Sequence, residues 1–172
     1  MERAERLVAS HEMDPVQGTV EIAVPVEELW SCFSRPDWWP RWNRCFFWVR
    51  NGSLDVGRQL LWAFEPIKPR YLYKLPAAAK IVEVEPERRA TWEVTAFPGM
   101  FARHTYSLEE RGNGRSAFSS WEQAMGGGFR ATRRFWVAHF EFVRDRSLEG
   151  AQLLEEIYRR EGRLDDSTLP RR

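Results

Sequence analysis

Two periodicities divide the chain. Between Gly18 and Met125 apolar residues recur mainly at alternate positions, in runs separated by glycine and proline. From Phe129 to Glu161 the spacing changes to about 3.6 residues. Gly18 to Val24 (GTVEIAV) puts Val20, Ile22 and Val24 on one face and predicts a half-buried strand. Pro25 opens a helix whose buried stripe is Val26, Leu29, Trp30 and Phe33. Pro36 and Pro40 confine the next segment to short turns carrying Trp38, Trp39 and Trp42. Strands are then predicted at Phe46–Arg50, 58–64, Tyr71–Glu85 (broken near Pro76), Arg89–Phe97, Phe101–Glu110 and Arg115–Met125. Gly112-Asn113-Gly114 is a hairpin signal, and Gly126 to Gly128 ends the strands. The last periodic segment puts Phe129, Thr132, Trp136, Phe140, Val143, Ser147, Ala151, Leu154 and Tyr158 on one stripe, with Gly150 as a point where the helix can bend or loosen.

This order predicts an α+β fold: a curved antiparallel sheet of about seven strands around one long C-terminal helix, with two short helices after the first strand. A straight helix cannot fill a curved sheet along its whole length, so a cavity is expected between them. Residues 1–17 read as a polar extension, 18–161 as the folded domain and 162–172 as a polar tail.

Composition narrows the function classes. The 172 residues carry 26 basic and 25 acidic side chains, a net charge of +1, so no strong overall field favours nucleic acid or an anionic membrane. No apolar run is long enough for a transmembrane helix, and the charged N-terminus lacks the apolar core of a secretory signal. Cys32 and Cys45, outside any CxxC, fit a reduced, cytoplasmic protein. His11, His104 and His139 have no partners at ligand spacing, so no metal is expected; no Walker A, GxGxxG or GxSxG segment is present, and no cofactor is expected.

Three segments carry a family resemblance: VEIAVPVEELWSCFSRPDWWPRWN, AKIVEVEPERRATWEV and RHTYSLEERGNGRSAFSSWEQAMGG. Their order and landmarks resemble the START / Bet v 1-like (SRPBCC) superfamily, and within it the polyketide cyclase/dehydrase and lipid-transport branch, over roughly residues 18–161. The resemblance implies the helix-grip fold and a central cavity for hydrophobic small molecules. Some members cyclise or dehydrate polyketides and others only carry or sense a ligand.

The best candidates for chemistry are His104 and Glu122, with Tyr106. If the hairpin turn centres on Asn113, position 104 faces 122, and Ser120 and Glu122 share the cavity side of their strand. A strict two-residue Asn-Gly turn would shift the register by one and point Trp121 inward. A buried His–Glu pair suits general acid/base work or hydrogen bonding to a ligand; a core histidine satisfied by a neighbour is the bland alternative. Trp62, Phe64, Trp92, Trp136 and Phe140 are expected to line the cavity. Trp42 is a candidate ligand-binding residue, with anchoring of the short helix to the sheet as the stronger expectation. Trp38 and Trp39, being adjacent, are not both expected to be buried, and one would form the entrance. Arg133 sits at the stripe's edge, either reaching a ligand oxygen or standing as a solvated flank.

Three functions remain: a binder of a polyketide-, aromatic- or lipid-like molecule; a cyclase, aromatase or dehydratase using the same cavity; or a non-catalytic interaction partner exposing Trp39, Phe47 or Trp48. A monomer or a homodimer is compatible with all three.

Overall fold

The computed structural model describes residues 14–50, 52–68, 74–97 and 99–171. Its elements are β1 (Val16–Ile22), α1 (Val26–Phe33), a 3-10 turn (Pro36–Trp38), α2 (Trp39–Trp42), β2 (Phe46–Arg50), β3 (Gln59–Phe64), β4 (Leu75–Glu85), β5 (Arg89–Phe97), β6 (Met100–Gly112), β7 (Arg115–Met125) and α3 (Gly127–Glu161). The strands form one antiparallel sheet in the order β1-β7-β6-β5-β4-β3-β2. Consecutive strands are neighbours except at the first connection, where α1 and α2 carry the chain from one sheet edge to the other. β1 starts two residues before the predicted strand, and residues 71–73 of the predicted Tyr71–Glu85 strand lie outside the described residues.

The β6–β7 hairpin reconciles both sequence expectations. Asn113 and Gly114 have positive φ (53° and 68°) and form a two-residue turn closed by the pairing of Gly112 with Arg115. That turn alone would put His104 opposite Gln123. A bulge between Glu110 and Gly112 shifts the ladder by one, so Glu110 faces Ser116 and His104 faces Glu122.

α3 packs against β1, β7 and β6. This leaves space under β3, β4 and β5. Two of the predicted stripe positions differ: Thr132 is exposed and Tyr158 only partly buried. Gly150 is a seat rather than a hinge. A Cβ there would meet the Trp42 carbonyl oxygen at 2.7 Å and its ring at 2.9 Å, so only glycine admits α2 this closely. Gly150→Ala is expected to cost roughly 1–3 kcal/mol by pushing α2 off α3, read as a lowered urea midpoint.

The last residues are not a free tail. Gly162 caps α3 in the left-handed conformation (φ 72°), its N–H donating to the Tyr158 carbonyl. Arg41 then donates to the carbonyls of Asp166, Leu169 and Pro170. Leu164 and Leu169 are buried, and the Leu164 N–H donates to the Glu28 carboxylate.

Candidate functional site: a cavity between sheet and helix

The space left by α3 is a cavity of about 200 Å³. Its wall is the inward face of β2 to β7 together with the N-terminal half of α3. Trp62, Phe64, Trp92, Trp136 and Phe140 all line it. The strand alternation that buries Leu60, Trp62 and Phe64 puts their side chains on the face that looks at α3.

His104 and Glu122 face each other across the β6–β7 ladder and both line the cavity. The imidazole is held on three sides. Its Nε2 lies 3.1 Å from Ser120 Oγ, its ring lies 4.7 Å from that of Trp92, and the ring of Tyr106 meets its edge at 4.6 Å. Its Nδ1 lies 3.4 Å from Glu122 Oε2. That approach is not a formed ion pair: Oε2 has no hydrogen-bond partner among the described residues. Burial drives both groups to the uncharged form. It pushes His104 down from 6.5 to about 3, with the nearby His139 adding to the effect, and raises Glu122 well above the ordinary carboxylate range. The pair is therefore a neutral carboxylic acid beside a neutral imidazole whose far nitrogen is held by Ser120.

Ser120 does not line the cavity but orients the histidine from behind. Tyr106 does not line the cavity. Its ring is fully buried, and its hydroxyl is committed elsewhere. Ser147 donates to the Val143 carbonyl at 2.7 Å, so the 2.6 Å contact between Tyr106 and Ser147 has the phenol as donor. Asn43 Nδ2 donates to both oxygens at 3.0 Å, and Asn43 Oδ1 accepts from the Cys45 N–H. This saturated network ties β6 to α3 and to the chain leaving α2; it is structural.

The tryptophan-rich segment also differs from expectation. Trp38 and Trp39 are both buried, so neither forms an entrance. The chain turns through the 3-10 turn into α2, which sends adjacent side chains in different directions. Trp39 enters the core, stacks on Phe33 and donates its N–H to the Phe33 carbonyl at 2.8 Å. Trp38 lies under the Arg35 guanidinium, 4.4 Å from the ring centroid. Neither Trp38 nor Trp42 reaches the cavity: Trp42 packs on Phe118 and against Gly150, the expected anchor. Arg133 is exposed on the outer face of α3, away from the cavity. Of the three aromatics considered for an interaction patch, Trp39 is buried and Trp48 partly buried. Phe47 is exposed, with the Lys74 ammonium over its ring.

Sequence reasoning does not single out the apolar lining residues Phe46, Leu75, Ala77 and Met100. The polar residue that it misses is His139. It lines the cavity from α3, its ring meeting Phe64 edge-on at 4.7 Å, and burial pushes its pKa from 6.5 down to about 4. The signal is present in the chain: position 139 is three beyond Trp136 and four before Val143, on the stripe itself. Among the described residues no cluster of acidic, histidine and cysteine side chains could hold a metal ion, and no helix is long and apolar enough to cross a membrane.

The family model described as polyketide cyclase / dehydrase and lipid transport matches residues 13–160. The chain belongs to this family. Its fold is shared with solved structures of low sequence identity. An aromatase/cyclase from a Streptomyces species is 12% identical with a TM-score of 0.72, covering 88% of this chain and 98% of that one. A norcoclaurine synthase from Thalictrum flavum, solved with dopamine and hydroxybenzaldehyde, is 14% identical with a TM-score of 0.59, covering 87% and 91%. A hypothetical protein from Helicobacter pylori is 13% identical with a TM-score of 0.66, covering 83% and 88%. At these identities the likeness is one of helix-grip fold. No curated protein matches the chain.

Proposed function

We propose that this protein binds a compact hydrophobic molecule, aromatic or polyketide-like, in the cavity between sheet and α3. The observation that carries the reading is the cavity itself: about 200 Å³, walled by aromatic rings, with Glu122, His104 and His139 as polar features. An apolar cavity of about 150 Å³ accepts benzene, so this volume suits a ring system with a few substituents better than an extended acyl chain. Two buried side-chain polar atoms without a partner among the described residues, Glu122 Oε2 and Trp62 Nε1, belong to cavity-lining residues. An unpaired buried polar atom costs about 1–3 kcal/mol, which a ligand hydroxyl or carbonyl would recover. Titration with naphthol, followed by quenching of tryptophan fluorescence, tests the reading. Binding is expected in the wild type, and Ala102→Phe, which fills the cavity, is expected to weaken it at least ~10-fold. Equal binding by that variant would place the ligand elsewhere.

The neutral acid–imidazole pair supports a second reading, cyclisation or dehydration in the same cavity. A bound β-ketone would take a proton on its carbonyl oxygen from Glu122 and lose an α-proton to His104. Glu122→Gln keeps a neutral hydrogen-bonding group but has no acidic proton. Retained ligand binding with turnover of a poly-β-ketone reduced on the order of 10²–10⁴-fold is expected if the protein is an enzyme. Turnover at the wild-type rate would remove Glu122 from the chemistry.

A further inference from the structure

A surface outside the cavity has no partner among the described residues. Every residue from 130 to 135, the start of α3, is exposed. Arg130, Arg133 and Arg134 are spaced i, i+3 and i+4, so they share one face. The sequence holds no acidic residue between Glu122 and Glu141. None of the three guanidiniums makes an ion pair with a described residue, whereas Arg41, Arg89, Arg103, Arg144, Arg146 and Arg159 all do. Beside this basic strip runs an apolar one, Ala131, Phe135, Ala138 and Phe142, of which Ala131 and Phe135 are exposed. Phe135 is 40% exposed, and its ring lies parallel to that of His139 at 6.2 Å. His139 lines the cavity, so the apolar strip continues into the cavity wall.

We propose that this face of α3 docks on an anionic lipid bilayer, with Arg130, Arg133 and Arg134 among the head groups and Phe135 at the acyl boundary, so that an apolar ligand passes between bilayer and cavity. A basic strip flanking an apolar strip is the pattern of a helix lying in a membrane interface. An extended anionic plane also fits guanidiniums that have no carboxylate partner of their own. A small apolar ligand is sparingly soluble in water, and docking next to the α3 residues that wall the cavity, Trp136 and His139, shortens its path. The docking stands whether or not the cavity binds naphthol.

The test is co-sedimentation of the full chain with phosphatidylcholine vesicles, with and without phosphatidylglycerol. Binding to the phosphatidylglycerol vesicles is expected, falling as salt is raised. The triple variant Arg130→Gln, Arg133→Gln, Arg134→Gln is expected to lose about 100-fold in affinity, roughly five-fold per arginine. Phe135→Ser is expected to weaken binding while leaving its salt dependence in place. Unchanged thermal midpoints and unchanged naphthol binding would show that the variants keep the fold and the cavity. Equal binding by the triple variant overturns the proposal. So does wild-type protein that ignores the anionic vesicles. Vesicle binding without naphthol binding would leave the docking intact and remove the cavity reading.

Discussion

Replacing Trp39 by alanine is expected to lower the unfolding free energy by about 3–5 kcal/mol, enough to leave a marginally stable domain largely unfolded. The side chain is fully buried. Its ring lies 5.6 Å from Phe33, 5.4 Å from Phe46, 5.2 Å from Trp92 and 6.0 Å from Tyr106, joining α1, β2, β5 and β6 through one residue. No single neighbour can relax into the hole, because each is fixed by the others. Trp39→Phe keeps much of the ring contact but loses the N–H···O bond to the Phe33 carbonyl, and is expected to fall in between. Trp38→Ala, by contrast, mainly uncovers the aromatic shelf beneath Arg35 and is expected to cost less. Urea unfolding followed by circular dichroism measures all three. A loss below about 1 kcal/mol for Trp39→Ala would mean that the ring is not packed as described and could swing as an entrance.

Alternation and turn residues locate all seven strands, because a sheet with one buried face writes a period of two into the chain. The facing of His104 and Glu122 is legible in the sequence only as one of two registers. Deciding between them requires the bulge before Gly112, and a bulge leaves no mark beyond a permissive glycine. The adjacent tryptophans mislead because adjacency implies opposite faces only in a strand; in a helical turn neighbouring side chains diverge by about 100° and both can be buried. Strand phase alone places Tyr106 in the cavity. Its length carries the hydroxyl beyond the cavity wall to Ser147 and Asn43, residues far away in sequence whose convergence no local pattern announces. The C-terminal segment reads as polar, yet Leu164 and Leu169 find a buried site because Arg41 and Glu28 satisfy its backbone.

Glu122→Gln is expected to make the protein more stable at neutral pH, and pH should govern the gain. Glu122 is raised by burial, so its contribution to stability is fully present below the unfolded value of 4.5 and is lost as pH rises through its higher folded value. Above 4.5 the unfolded chain ionises while the folded one resists. Glutamine cannot ionise in either state, so the variant's advantage grows by up to about 1.4 kcal/mol per pH unit until Glu122 ionises in the fold. The two histidines act in the opposite direction. His104 and His139 are depressed from 6.5 to about 3 and about 4, so their contributions are present above 6.5 and lost as pH falls through those folded values. His139→Phe, which keeps a ring against Phe64, is therefore expected to flatten the loss of stability between 6.5 and about 4. Urea midpoints across pH for the wild type and both variants read these slopes. A Glu122→Gln protein that is less stable than wild type at neutral pH would show that the carboxylate is ionised and held by a protonated His104. The cavity would then hold an ion pair instead of a neutral acid, and Glu122 would have no proton to give a ligand.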